Sequence, residues 1–286
     1  MSPSTYLVTG CSTGIGEATA LHLDAAGHRV LAGVRRQADA DRLAEQGSDR
    51  LRPLLLDVTN EGQIREAVTA VDDAVSGAGL DGLVNNAGIG KGGPLEFLPL
   101  DDWRTQLEVN VFGQIALTQA LMALLRKARG RIVFIGSIGG RVGTPLMGPY
   151  NASKFALEGI AEALRHEVEQ FGMRVAVVEP GAIKTAIWQK GREEAERLER
   201  ELPAEARELY RTQIDILQGG IEDSDRRAIG PEAVAKVIER ALTSPRPRHR
   251  YLVGVDAMAL GTLDRALPHS AKHWTMSRLA RWVGTP

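Results

Sequence analysis

Short runs of aliphatic and β-branched residues alternate along the chain with longer stretches of helical period. The runs are Tyr6–Val8, Arg29–Val34, Leu51–Leu56, Leu83–Val84, Arg131–Ile135, Arg174–Val178 and Tyr251–Val255. They are almost continuously apolar rather than alternating, which is what strands covered on both faces require. Amphipathic stretches fall between them near residues 15–26, 38–46, 61–77, 101–127, 150–171 and 231–243, each flanked by Gly, Asp or Pro. This alternation predicts an α/β protein, a doubly wound parallel sheet of seven strands with crossover helices, in a single domain spanning 1–286.

Two regions break the rhythm. From Gly191 to Arg211, 12 of 21 residues are charged, just where the pattern would pass from the sixth strand to the next helix. One reading is a solvated helical face with Glu–Arg pairs at spacings of three and four. The other is a substrate lid over residues 186–225, since insertions at this point sit above the carboxyl ends of the strands. Its apolar residues, Ile187, Trp188, Leu198, Leu202, Leu209, Tyr210, Ile214 and Leu217, suffice for one stripe facing a cleft. After the last strand comes a C-terminal extension, 256–286, in which Leu260, Leu263, Leu267, Trp274, Leu279 and Trp282 stand among basic residues. It is free to pack on the core, on a second subunit or on a membrane surface.

Composition narrows the function classes. With 35 Lys+Arg against 36 Asp+Glu the formal charge is −1, so no global field recruits nucleic acid or an anionic membrane, and 5% aromatics argues against a base-stacking platform. The one cysteine, Cys11, cannot form an intramolecular disulfide, which points to a cytoplasmic setting. The N-terminus lacks a basic segment followed by a long apolar one, so no secretion signal is expected. Ile115–Leu125 is interrupted by Thr118 and Gln119 and reads as too short to cross a bilayer, so no transmembrane segment is expected. The six histidines (22, 28, 166, 249, 269 and 273) show no His-Glu-x2-His spacing, and no metal is expected.

Candidate chemistry begins directly after the first strand, in Thr9-Gly10-Cys11-Ser12-Thr13-Gly14-Ile15-Gly16. Glycines at a strand-to-helix turn let a pyrophosphate approach the N–H groups at a helix N-terminus, where the dipole favours an anion. A tight loop is the plain alternative; the position after the first strand of a βαβ unit favours nucleotide binding. The second strand ends Val34-Arg35-Arg36 with no acid, and Asp39 follows only four residues after Arg35. A guanidinium there suits a 2′-phosphate, so NADP(H) is the preferred cofactor, with NAD(H) possible and a pair of surface arginines as the bland reading. Asp57, followed by Val58 at the end of the third strand, lies in reach of an adenine amino group in such a fold, or is merely a turn aspartate.

Tyr150 and Lys154 lie four apart at a helix start, and Ser137 follows the apolar strand Ile132–Ile135, at a carboxyl end where open α/β sheets bind ligands. A phenol near pKa 10 is a poor acid–base at neutral pH, and a nearby ammonium stabilises the phenolate; a shift of about three units corresponds to roughly 4 kcal/mol.

With these residues in order, the chain resembles the short-chain dehydrogenase/reductase family, with its Rossmann-like fold. The resemblance rests on Thr9-Gly10-x3-Gly14-Ile15-Gly16, Asn85-Asn86-Ala87-Gly88, Asn110, Ser137, Tyr150-x3-Lys154 and Pro180-Gly181 leading to Thr185, and runs from about residue 5 to 255. It implies that Tyr150 is the general acid/base, that Ser137 bonds the substrate oxygen, and that Lys154 lowers the Tyr150 pKa and holds the nicotinamide ribose. Asn110 would hold a water linking Lys154 to solvent. Asn86, Ala87 and Gly88 would shape the cofactor floor, and Ile183 and Thr185 would contact carboxamide and phosphates. The wording around Gly10–Gly16, Val34-Arg35 and the extended tail is similar to the branch containing 17β-hydroxysteroid and retinol dehydrogenases. In its NADP-preferring members the residues matching Thr13 and Arg35 contact the 2′-phosphate. An enzyme interconverting an alcohol and a ketone or aldehyde of a lipophilic substrate is implied, as a homodimer or homotetramer. Two other readings are a catalytically silent nucleotide-sensing regulator, which would need no phenol beside the nicotinamide, and a sugar-nucleotide epimerase or dehydratase, whose relatives carry a Gly-x2-Gly-x2-Gly turn absent here.

Overall fold

The computed structural model describes residues 3–185, 192–193, 196–197 and 200–268. Strands β1 (Thr5–Val8), β2 (Arg29–Val34), β3 (Leu51–Leu55), β4 (Gly82–Asn85), β5 (Arg131–Ile135), β6 (Arg174–Pro180) and β7 (Arg250–Val253) form one sheet in the order β3-β2-β1-β4-β5-β6-β7. Every pairing is parallel. The order reverses between β1 and β4, the switch point where such sheets bind ligands. This is the doubly wound, seven-stranded, single-domain α/β fold that the pattern predicts.

The strands are apolar throughout because both faces are covered. Helices α1 (Gly14–Ala25), α2 (Gln37–Gln46) and α9 (Pro231–Thr243) cover one face, where Val234, Ala235, Ile238, Ala241 and Leu242 form the buried stripe of α9. The other face carries α3 (Glu61–Val75), α5 (Gly113–Ala128) and α6 (Gly148–Val168), through Leu117, Leu121, Leu125, Leu157 and Ala161. Truncating any of these leucines to Ala costs about 2–5 kcal/mol. Pro149 and Pro231 stand in the first turns of α6 and α9, where the missing N–H costs nothing.

Among the boundaries that differ from the sequence-based expectation, two have a clear local cause. The stretch 101–127 is not one α-helix: α4 (Leu100–Leu107) passes into a π-helical turn, Glu108–Phe112, before α5. The helical run Leu100–Ala128 is long and apolar enough to cross a membrane, which corrects the judgement from Ile115–Leu125 alone, yet its Leu117, Leu121 and Leu125 pack on the sheet as core. The last strand stops at Val253 rather than Val255, because Gly254 adopts φ +108° and Val255 begins α10 (Val255–Ala266).

Candidate active site

Between β1 and α1 the glycine turn is fixed by space as well as by dihedral angle. Gly14 has φ +67°, and a Cβ there would lie 2.9 Å from Thr185 Cγ2; a Cβ on Gly16 would lie 2.3 Å from the Gly10 carbonyl oxygen. Thr9 and Asn86 knit this turn to the end of β4: Thr9 Oγ1 accepts from the Asn86 and Ala87 N–H groups at 3.0 and 2.9 Å, and Asn86 Nδ2 donates to Thr9 O at 2.8 Å. Thr13, at the N-cap of α1, is exposed and makes no side-chain capping bond, so it leaves the first-turn N–H groups open to an anion. An open cleft beside this turn is lined by Gly14, Thr185 and the ion-paired Arg192 and Asp225. The cradle fits a dinucleotide pyrophosphate.

At the end of β2, Arg35 is exposed and forms no ion pair with any described residue. Arg36 is committed to Asp39, at 2.9 and 3.3 Å, and holds that carboxyl below its usual value. Arg42, which sequence reasoning missed, bonds Glu17 and donates to the Ser12 carbonyl at 2.5 Å. Asp57 is a turn aspartate at least in part: its Oδ1 accepts from Thr59 N and Oγ1 at 2.9 and 2.7 Å. Val58 is a buried residue pressed against Gly113.

Ser137, Tyr150 and Lys154 come together between the end of β5 and the start of α6. Ser137 caps the short helical turn Ile138–Gly140, its Oγ accepting from Gly139 N at 3.1 Å, and its hydroxyl lies near enough to the Tyr150 phenol to draw the phenol's pKa down. Lys154 Nζ donates to the Ile135 carbonyl at 2.8 Å and lies 5.8 Å from the centre of the Tyr150 ring. Burial holds the Lys154 ammonium down to about 8. Burial also pushes the Tyr150 phenol up, against the downward pull of Ser137. On balance the Tyr150 phenol stands above its ordinary value, with burial the larger cause and Ser137 the opposing one.

Asn110 stands in the π-turn with its side chain fully engaged. Its Oδ1 accepts from Ile89 N at 2.8 Å, and its Nδ2 donates to Ile89 O at 3.0 Å and to Ser153 Oγ at 3.1 Å. Gln106 and Gln114, one helical step away on either side, do the same work. Gln106 bonds Ile89 O at 2.9 Å and Lys91 N at 2.6 Å, and Gln114 bonds Ala87 O at 2.8 Å. Three buried amides thus grip the loop 87–91, whose Ala87 and Gly88 form the expected cofactor floor. Sequence reasoning found only the middle one.

The loop after β6 is held from the C-terminal side. Pro180 and Ile183 are buried, and Gly181 N donates to Val253 O at 2.9 Å. Asp256, read from sequence only as the start of a tail, accepts from Ala182 N at 2.7 Å, and a Cβ on Gly181 would meet its carboxylate at 2.2 Å. Among its described residues, the charged insertion packs on Leu98, Phe97 and Trp103. Leu202 and Ala206, the latter in α7 (Ala204–Leu209), bury against Leu98, with Phe97, Trp103 and Ile214 of α8 (Arg211–Arg227) around them. Arg197 and Lys91 pair with Asp102 at 2.9 and 3.1 Å, and Tyr210 donates to Glu96 at 3.0 Å. Of the expected stripe, Leu202 and Ile214 face this cluster and Leu209 is exposed, while Ile187, Trp188 and Leu198 lie outside the described residues, as does 269–286 of the C-terminal extension.

Against known proteins, the short chain dehydrogenase family model matches residues 4–196. The chain belongs to the short-chain dehydrogenase family. It is 37% identical over 279 residues to the cattle (Bos taurus) 17-beta-hydroxysteroid dehydrogenase type 6, covering 95% of this chain and 87% of that one. It is 39% identical over 259 residues to human (Homo sapiens) retinol dehydrogenase 16, covering 88% and 81%. Among solved structures, a short chain dehydrogenase from Burkholderia cenocepacia in complex with NADP superposes with a TM-score of 0.74 at 25% identity, covering 96% of this chain and 97% of that one. The relatives place this member of the family in the 17β-hydroxysteroid and retinol dehydrogenase branch.

Proposed function

We propose that this short-chain dehydrogenase interconverts an alcohol and a ketone or aldehyde of a lipophilic substrate, of the steroid or retinoid class, with NADP(H) preferred over NAD(H). The observation that carries this reading is the joining of Ser137, Tyr150 and Lys154 at the carboxyl end of β5, beside the glycine cradle. Gly10, Gly14, Ile15, Gly16 and Thr185 would hold the pyrophosphate, Thr13 and Arg35 the 2′-phosphate, Asp57 and Val58 the adenine, and Asn86, Ala87, Gly88, Pro180, Gly181 and Ile183 the nicotinamide end. When bound, the nicotinamide gives or takes a hydride.

The chain's own residues handle the proton. Tyr150, kept protonated by burial, donates its phenolic proton to the carbonyl oxygen in reduction and recovers it in oxidation, while Ser137 hydrogen-bonds that oxygen. Lys154, cationic below about pH 8, steadies the phenolate that Tyr150 leaves. Asn110 holds the floor loop in place. Residues 186–225 would form the substrate lid, supported by the packing of Leu202, Ala206 and Ile214 on the Leu98 cluster and by the Arg192–Asp225 pair at the cleft. Exposed Phe112 (56%) and Phe155 (46%) support a homo-oligomer, and the single buried Cys11 supports a cytoplasmic setting.

The test is NADPH consumption against a panel of steroid ketones and retinal, with the alcohols tested in reverse and NADH in parallel. Turnover of a lipophilic carbonyl, faster with NADPH, is expected. Nucleotide binding with no turnover of any carbonyl or alcohol would instead favour the silent regulator.

A further inference from the structure

Four charged groups that the proposed chemistry does not use meet beside the catalytic loop. Glu158 lies one turn beyond Lys154 on α6, and Glu179 lies immediately before Pro180; both are buried. Arg141, just past the turn that Ser137 caps, donates Nε to Glu179 Oε1 at 2.8 Å, with its side chain only 12% exposed. Arg250, the first residue of β7, donates Nε to Glu158 Oε2 at 2.8 Å and stands 3.9 Å from Glu179 Oε1. The cluster therefore touches all four segments that carry the site: the Ser137 loop, the Tyr150–Lys154 helix, the end of β6 that leads to the cofactor loop, and β7.

The hydrogen-bond count within the cluster does not close on ionised groups alone. Arg250 Nε lies 2.8 Å from Glu158 Oε2 and 3.9 Å from Glu179 Oε1, which sets the two carboxyls side by side, yet Glu158 Oε1 and Glu179 Oε2 are buried without any donor. Two ionised carboxylates in that position repel, whereas one proton between them supplies the missing donor. We propose that Arg141, Glu158, Glu179 and Arg250 form a positioning unit that holds one shared proton and sets the Ser137 loop against α6 and the cofactor loop. The role in turnover rests on the oxidoreductase reading above.

The surrounding charges agree. Burial and Glu179 push the Glu158 carboxyl up to about 7, opposed by Arg250. Arg141 faces the pair from the catalytic loop and Arg250 from β7. Glu162, 3.7 Å from Arg250, and Arg165 are the further charges on α6 itself. A carboxyl raised in the folded state stabilises fully below its ordinary range, and that contribution fades as pH rises through about 7.

Three full-length variants test this. Glu158→Gln, which imitates the protonated carboxyl, should keep turnover at pH 6 within about twofold of the parent and should flatten the fall in unfolding free energy between pH 5 and 7.5. Arg141→Met should lower kcat by about tenfold or more, with the NADPH dissociation constant, read by fluorescence titration, within about threefold. If Arg141→Met does not fold, Arg141→Lys, which keeps the charge without the planar fork, should show a smaller loss of kcat. A parent-like pH slope in Glu158→Gln, or parent-like kcat in the Arg141 variant that folds, overturns the proposal. A parent protein that turns over nothing overturns the oxidoreductase reading instead, and the unfolding comparison then tests the shared proton by itself.

Discussion

Asn110→Ala probes whether the amide is a structural clamp, and its cost can be worked out bond by bond. Three hydrogen bonds disappear, to Ile89 N, Ile89 O and Ser153 Oγ. Two of the abandoned partners stay served: Gln106 Nε2 still bonds Ile89 O at 2.9 Å, and Ser153 Oγ still donates to Tyr150 O at 2.7 Å. Only the Ile89 N–H, which is part-buried, is left without a protein acceptor, which costs up to about 1–3 kcal/mol, and each lost bond adds about 1 kcal/mol or less. The total is about 2–4 kcal/mol, equivalent to a Tm lower by roughly 3–7 °C for a chain of this size. Gln114→Leu gives the contrast, because Gln114 makes a single bond to the loop and its Oε1 already has no partner, so the loss should be about 1 kcal/mol. Asn110→Asp keeps the acceptor for Ile89 N but sets a carboxylate against Ile89 O; its deficit should shrink as pH falls and the carboxyl becomes a donor. Urea unfolding followed by tryptophan fluorescence reads all three. An Asn110→Ala protein within about 0.5 kcal/mol of the parent, below the typical net value of one hydrogen bond, would refute the clamp.

Tyr150→Phe should cut turnover by at least about 10²–10⁴-fold while leaving nucleotide affinity within a few-fold, and near-parental rates would sink the proton-donor assignment. Arg35→Asp should erase or reverse the preference for NADPH in kcat/KM, since Arg36 is already held by Asp39; a parent that favours NADH contradicts the reading before any mutation. Lys154, at about 8 in the folded state, lies below its ordinary 10.5, so the native state loses that proton first and raising the pH favours folding. The unfolding free energy of the parent relative to Lys154→Met should therefore rise by about 1–3 kcal/mol between pH 7.5 and 10. Hydrogen exchange across 204–227 should slow when NADP(H) and substrate are added together; unchanged exchange would make that segment a fixed structural element.

The seven parallel strands and the placing of the glycine turn, Asn86, Ser137, Tyr150 and Lys154 at their carboxyl ends were legible in the sequence for a common reason. Parallel strands buried on both faces leave continuous apolar runs, and residues placed just after those runs must share one edge of the sheet. The misread boundaries are those where local chemistry overrides period. A π-turn adds one residue to a helical repeat without changing its polarity, so 101–127 read as unbroken, and Gly254 ends β7 by its positive φ while apolar Val255 follows.

What the sequence hid is the polar scaffold around the site, and the reason is physical rather than a matter of weak signal. Gln106 and Gln114 have the polarity of a solvated helical face, yet both are fully buried, like the Asn110 that the resemblance picked out between them, because their partners are backbone groups of a loop about twenty residues earlier. Asp256, Glu158 and Glu179 are invisible for the same reason: each is defined by a partner on another element, Ala182, Arg250 and Arg141 respectively. Apolar burial leaves a periodic trace along the chain, whereas polar burial is settled pair by pair across the fold. Variants of these supporting residues should thus change stability and the setting of the catalytic loop before they change the chemistry of Tyr150, and the Asn110 and Arg141 series separates those two effects.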